Sequence, residues 1–255
     1  MNKLFKLGLV AAASCTVWGI AAAEPDVASE TRQVDARVVR VKLDGMVDLR
    51  IRQGSVPRLV LTGDPRWIER TTTLQSGDTL NIGAESRGFR MHRASGLHAE
   101  LTLPRLREVV SESIGSTEVS GFAGDELELT LDGAGSMKVW CNYKMLTANM
   151  GGIGSMQIGG LSAEGIDVRL RGAGSVVLNG RSKWLKADLG GLGGLDAQQF
   201  AADSVDLDLS GLGNATVTAH QNATLNLSGM GSVTVYGKPL NRKVSVDGLG
   251  KVSWK

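Results

Sequence analysis

The residues of this chain best suited to chemistry are carboxylates at matching places in a repeating segment. Asp188 and Asp208 stand one repeat apart, with Asp206 two residues before Asp208. Equivalent positions on stacked strands lie about 4.8 Å apart, and retaining glycosidases hold their two carboxyls at about 5–5.5 Å. Acid and nucleophile work on a polysaccharide is therefore geometrically open to such a pair. Cations occupy the same registers, however. Asp167, Lys186 and Asp206 form one series on successive repeats, and Arg169, Asp188 and Asp208 form a second two residues on. Charges arranged this way neutralise each other, and no long loop is present to wall in a sugar and raise one carboxyl's pKa. The pattern is that of an exposed charge ladder, worth a few tenths to about 1 kcal/mol per pair, on a flat face that a partner could use.

Other candidates are thinner. His92, His98 and His220 are scattered, and no His-Glu-x-x-His or Cys-x-x-Cys spacing occurs. The run Gly190-Gly191-Leu192-Gly193-Gly194-Leu195-Asp196 has an aspartate at the wrong offset for a calcium nonapeptide. Serines follow several glycine pairs (Ser116, Ser136, Ser155, Ser175, Ser232) without a base beside them, which fits a stacked hydroxyl ladder rather than a nucleophile. Neither a cofactor nor a metal is expected. Arg87, Arg90 and Arg93 form a locally basic stretch with Phe89 and Met91, a candidate patch for anionic glycans or headgroups and otherwise a solvated loop.

These side chains are positioned by a repeat. The second glycines of a Gly-apolar-Gly phrase fall at 115, 135, 154, 174, 193, 213, 231 and 250, a period of about 19 residues, the first copy having Ser113 in place of its leading glycine. Before each phrase apolar and polar residues alternate, as in Val205-Asp206-Leu207-Asp208-Leu209, and after it alternation resumes, as in Ser136-Met137-Lys138-Val139. Each repeat thus reads as strand, glycine corner, strand and loop. One unit cannot bury its apolar face alone, but stacked units can, with Leu170, Leu189, Leu209 and Leu227 in one inner column. The fold expected is all-β, a right-handed parallel β-helix. The residues between the glycines, Ile114, Ala134, Ile153, Ala173, Leu192, Leu212, Met230 and Leu249, are expected to point inward as knobs.

Residues 1–23 carry Lys3 and Lys6, an apolar run and Ala21-Ala22-Ala23, the layout of a secretory signal peptide. A membrane anchor and lipid attachment at Cys15 are weaker alternatives, the latter because Ala12 stands where a lipobox has leucine. The whole chain has 28 basic and 26 acidic side chains; without the leader's two lysines the balance is neutral, which removes the main support for nucleic-acid binding. Cys141 is then the sole cysteine, so no internal disulfide forms, and burial is expected for it rather than reactivity.

Residues 24–33 read as a flexible leader. Residues 34–255 form a single domain, irregular over 34–110 and repetitive over 111–255, the irregular part capping the same solenoid. Asp64-Pro65-Arg66-Trp67-Ile68-Glu69 suits one helical turn between strands. The ordered series Leu59-Val60-Leu61-Thr62-Gly63-Asp64, Gly77-Asp78-Thr79-Leu80-Asn81-Ile82, Leu101-Thr102-Leu103-Pro104-Arg105-Leu106, the glycine repeats and the closing Tyr236-Gly237-Lys238-Pro239 resembles a bacterial family. That family is called the putative auto-transporter adhesin head GIN domain. The resemblance covers nearly all of 34–255 and implies a right-handed β-helix and adhesion, with no catalytic or binding residues to carry over. One departure is that Lys255 falls inside the last repeat with no membrane-spanning barrel after it.

Together these readings predict an exported, non-enzymatic β-helix of the bacterial envelope, in the periplasm or on the cell surface. It would act as an adhesin or interaction module for an envelope or surface ligand, protein or glycan, with no membrane span in the mature chain. A polysaccharide-acting enzyme and a periplasmic scaffold are the alternatives.

Overall fold

The computed structural model describes residues 27–84 and 96–255. The segment of signal-peptide layout, residues 1–23, with Cys15, and also His92 and the basic stretch Arg87, Arg90 and Arg93 lie outside the described residues. Among those described, seventeen strands join in one sheet wound as a parallel β-helix of about seven turns.

The repeats form its long body: β9 (Ser116–Leu131), β10 (Ala134–Met150), β11 (Ile153–Leu170), β12 (Ala173–Leu189), β13 (Leu192–Leu209), β14 (Leu212–Leu227) and β15 (Met230–Tyr236). Each pairs in parallel with the next in chain order. Strand β16 (Asn241–Val246) pairs with β14 and β17 (Lys251–Trp254) with β15. A full turn is nearly continuous strand; the expected loop in each repeat is instead a bend where the register shifts, as between Ile158 and Leu161. The inner column forms as the period requires: Leu170, Leu189, Leu209 and Leu227 are register partners and all are buried.

The N-terminal strands join the same sheet in a different order. They are β1 (Ala28–Gln33), β2 (Arg40–Gly45), β3 (Asp48–Gln53), β4 (Arg58–Gly63), β5 (Thr71–Ser76), β6 (Thr79–Ala84), β7 (His98–Leu103) and β8 (Glu108–Ser111), with helix α1 (Pro65–Arg70) after β4. Strand β2 lies between β6 and β8, and β3 between β7 and β9, all parallel. The turn made by β2 and β3 is thus inserted between two turns that follow it in the chain. Outside it the pairing becomes antiparallel, β1 with β4, β4 with β7 and β5 with β6. Residues 28–33, expected to be a loose leader, are therefore a strand, held by pairing with β4 and by Arg32, whose guanidinium donates to the carbonyls of Thr71 and Ile68. Helix α1 is the expected single turn, with Pro65 at its start and the Asp64 side chain accepting from the Arg66 amide at 2.9 Å.

Candidate interaction surface: the glycine corner

At the glycine corner the structure reverses one expectation. The residues between the paired glycines point outward. Ile114, Ile153, Leu192, Leu212, Met230 and Leu249 are 46–82% exposed, Ala134 is exposed and Ala173 half-buried. Parity supplies the reason. Leu131 and Met137 are both buried and six residues apart, so alternation turns Gly133 and Gly135 inward and Ala134 out. The inward places must be glycine because turns stack backbone on backbone here. A Cβ on Gly191 would collide with the carbonyl oxygen of Gly172 on the preceding turn, and one on Gly211 with that of Gly191.

The register aligns these outward residues turn over turn, Ile153 with Ala173, Ala173 with Leu192, Leu192 with Leu212 and Leu212 with Met230. With about 4.8 Å per turn, the ladder from Ile114 to Leu249 runs roughly 34 Å along the solenoid. Beside its second half lies an open groove of about 660 Å³ from Arg171 to Leu249. Its floor is the glycine column, one wall is the aliphatic ladder, and the opposite wall carries Arg171, Gly190, Ser210 and Ser228.

The charge ladders anticipated from sequence occupy a different face. Asp167, Lys186 and Asp206 are register partners on β11, β12 and β13, and so are Arg169, Asp188 and Asp208. The ion pair made within this group runs along one strand rather than between turns: Arg169 Nη2 donates to Asp167 Oδ2 at 2.7 Å. The other oxygen, Asp167 Oδ1, is buried without a hydrogen-bond partner. Trp184, two residues before Lys186, lies where a side chain on Gly165 would stand and keeps about a third of its surface open.

Near the inserted turn is a cluster that the sequence did not single out. Asp48 Oδ1 accepts from the backbone N–H of Ser116 at 2.8 Å and from its hydroxyl at 2.7 Å, and His98 Nδ1 stands 3.6 Å from Asp48 Oδ2. Arg50 lies between Glu118 at 3.0 Å and Glu100 at 3.5 Å, pairing the inserted turn with both neighbours. Ser116 bonds to Asp48 and not to His98, so the group has the form of a cross-turn clasp. No short-range sequence signal marks it, since its members are brought together by the displaced order of the turns. Cys141 is buried, and burial pushes its thiol up to about 12. Tyr143, also buried, donates its hydroxyl to the Leu106 carbonyl at 2.7 Å. No group of three or more His, Cys, Asp or Glu side chains among the described residues is arranged to hold a metal ion, and no helix among them is long and apolar enough to cross a membrane.

Fold and corner together define a parallel β-solenoid that displays an aliphatic ridge on a glycine edge. The chain belongs to the family described as the putative auto-transporter adhesin, head GIN domain, which matches residues 39–239. It is similar to a putative adhesin from Parabacteroides distasonis ATCC 8503, with TM-score 0.80 and 19% identity over 91% of this chain and 98% of that one. A putative adhesin from Parabacteroides merdae ATCC 43184 gives 0.79 and 18% over 90% and 96%. A structure described as a putative lipid binding protein, also from P. distasonis ATCC 8503, gives 0.77 and 21% over 88% and 96%. At these identities the likeness shows the fold alone. No curated protein matches the chain.

Proposed function

We propose that the chain is a non-enzymatic adhesion or interaction module of the bacterial cell envelope, exported to the periplasm or cell surface, that meets its partner along the apolar corner. One observation carries this reading. Six large aliphatic side chains stand in water on a single edge, where the fold itself needs only the glycines beside them. Scattered exposed leucines are ordinary, but a contiguous apolar stripe on a soluble surface marks a place of contact. Membership of an adhesin family and a leader of signal-peptide layout support the adhesive and exported parts. The carboxylates Asp188 and Asp208 sit on an open strand face with Arg169 in register with Asp188 and Lys186 two residues before it on the same strand, a setting that favours neutralised surface charge over acid-base work.

Immobilised mature protein is expected to retain components of an outer-membrane extract, and cell fractionation to find the chain outside the cytoplasm. Retention of nothing from envelope extract, glycans or host matrix would remove the adhesive reading, and recovery of the intact chain in the cytoplasm would remove export. Release of reducing or unsaturated ends from pectic, alginate or peptidoglycan substrates, abolished by Asp188→Asn or Asp208→Asn, would make it an enzyme instead.

A further inference from the structure

The groove beside the ladder is suited to one long aliphatic chain with a negative head, and we propose that its ligand is a single-chain anionic amphiphile of the fatty-acid type. This rests on the reading of the ladder as a contact surface and names what lies there. The floor consists of glycines, so a ligand would rest on backbone, and the corner amides beside it are already engaged. Leu192 N–H donates to Gly172 O at 2.9 Å, Leu212 to Gly191 at 3.1 Å and Met230 to Gly211 at 3.2 Å. With these amides spent, the side-chain donors left to a sugar are Arg171 and the Ser210 and Ser228 hydroxyls on the one wall, too few to replace the hydrogen bonds it leaves in water, whereas methylenes have none to replace. One wall is Ala173, Leu192, Leu212, Met230 and Leu249, and neither an aromatic ring nor a carboxylate lines the groove.

Length and charge fit the same ligand. From Arg171 to Leu249 the groove crosses five turns, about 19 Å at 4.8 Å per step. An extended hydrocarbon advances about 1.3 Å per carbon, given C–C bonds of about 1.5 Å, so the groove spans about fifteen carbons. Arg171, at one end, is the sole charged residue of the lining, and its guanidinium has no hydrogen-bond or ion-pair partner among the described residues. A carboxylate head placed there gains a charge-assisted hydrogen bond, and no protein carboxylate in the lining opposes it.

The test is calorimetric titration of the mature protein with laurate and with dodecanol, both below their aggregation limits. Wild type, Arg171→Gln, the double variant Leu192→Ser/Leu212→Ser, and Ile153→Ser, on the ladder but outside the groove, are compared after circular dichroism shows equal folding. Laurate is expected to bind one to one. Arg171→Gln should weaken laurate about tenfold and leave dodecanol unchanged, since one charge-assisted contact is lost. The double variant should weaken both more than tenfold, and Ile153→Ser neither. Absence of laurate binding to wild type, or equal binding by all four proteins, overturns the proposal. If envelope components are retained through Leu192 and Leu212 while laurate does not bind, the ligand class is wrong and the contact surface stands. If light scattering finds wild type dimeric and the double variant monomeric, a second copy occupies the groove and the proposal falls.

Discussion

Leu192 and Leu212 are register partners on adjacent turns and both are open to water, 56% and 46% exposed, whereas Leu189 and Leu209, three residues before each, are partners in the buried core. Within three residues the chain passes from inside to outside, through a glycine edge.

That contrast sets a stability prediction. Leu209→Ala leaves a cavity in the inner column and should cost about 2–5 kcal/mol in urea unfolding. Leu212→Ala, on the ridge, should change stability by no more than about 0.5 kcal/mol. Equal losses would mean that the ridge is packed against protein after all.

The two glycines of Gly190-Gly191 should differ as sharply. A methyl group on Gly191 would strike the Gly172 carbonyl, so Gly191→Ala is expected to destabilise by about 1–3 kcal/mol. A methyl on Gly190 would meet nothing closer than the Ser210 hydroxyl at 3.5 Å, and Gly190→Ala should lie within about 0.5 kcal/mol of wild type. Thermal unfolding midpoints measure both, and a larger loss at Gly190 would contradict the stacking geometry.

Cys141 gives a prediction with a sign. Its thiol is held neutral by burial, with a pKa near 12 in the fold against an ordinary value of 9.0. The raised folded value means that its contribution to stability is intact below pH 9 and fades as pH rises from 9 toward 12, because the unfolded chain releases the proton first. At pH 8 the native thiol should resist alkylating reagents and react promptly in denaturant. Fast labelling of the native protein would show that the side chain is accessible, and Cys141→Ser should reduce the loss of stability above pH 9.

Where the chain repeats, sequence order and spatial order coincide, so period alone located the turns, the buried leucine column and the registers of Asp167, Lys186 and Asp206. The direction of the apolar residues between glycines was equally legible, because counting by twos from Leu131 to Met137 puts Ala134 outside. The inward expectation for Ile114 through Leu249 puts hydrophobicity above parity, and hydrophobicity alone does not give direction where large apolar side chains stand in water. The N-terminal strands were recognisable by alternation, but the placing of β2 and β3 between later turns was not. Each of those strands occurs once, and the Arg50 pairs with Glu100 and Glu118 join residues up to 68 positions apart. The Asp48–Ser116 clasp was hidden for the same reason.

The most direct test of the apolar corner as the contact surface is retention of mature protein on immobilised outer-membrane extract, wild type against Leu192→Ser/Leu212→Ser. The two proteins should unfold at the same temperature, since both side chains lie outside the core. Retention should fall at least tenfold in the variant and remain unchanged in Lys186→Ser, on the charge-ladder face. Undiminished retention of Leu192→Ser/Leu212→Ser, or loss in Lys186→Ser alone, would contradict the corner and place contact on the charged face.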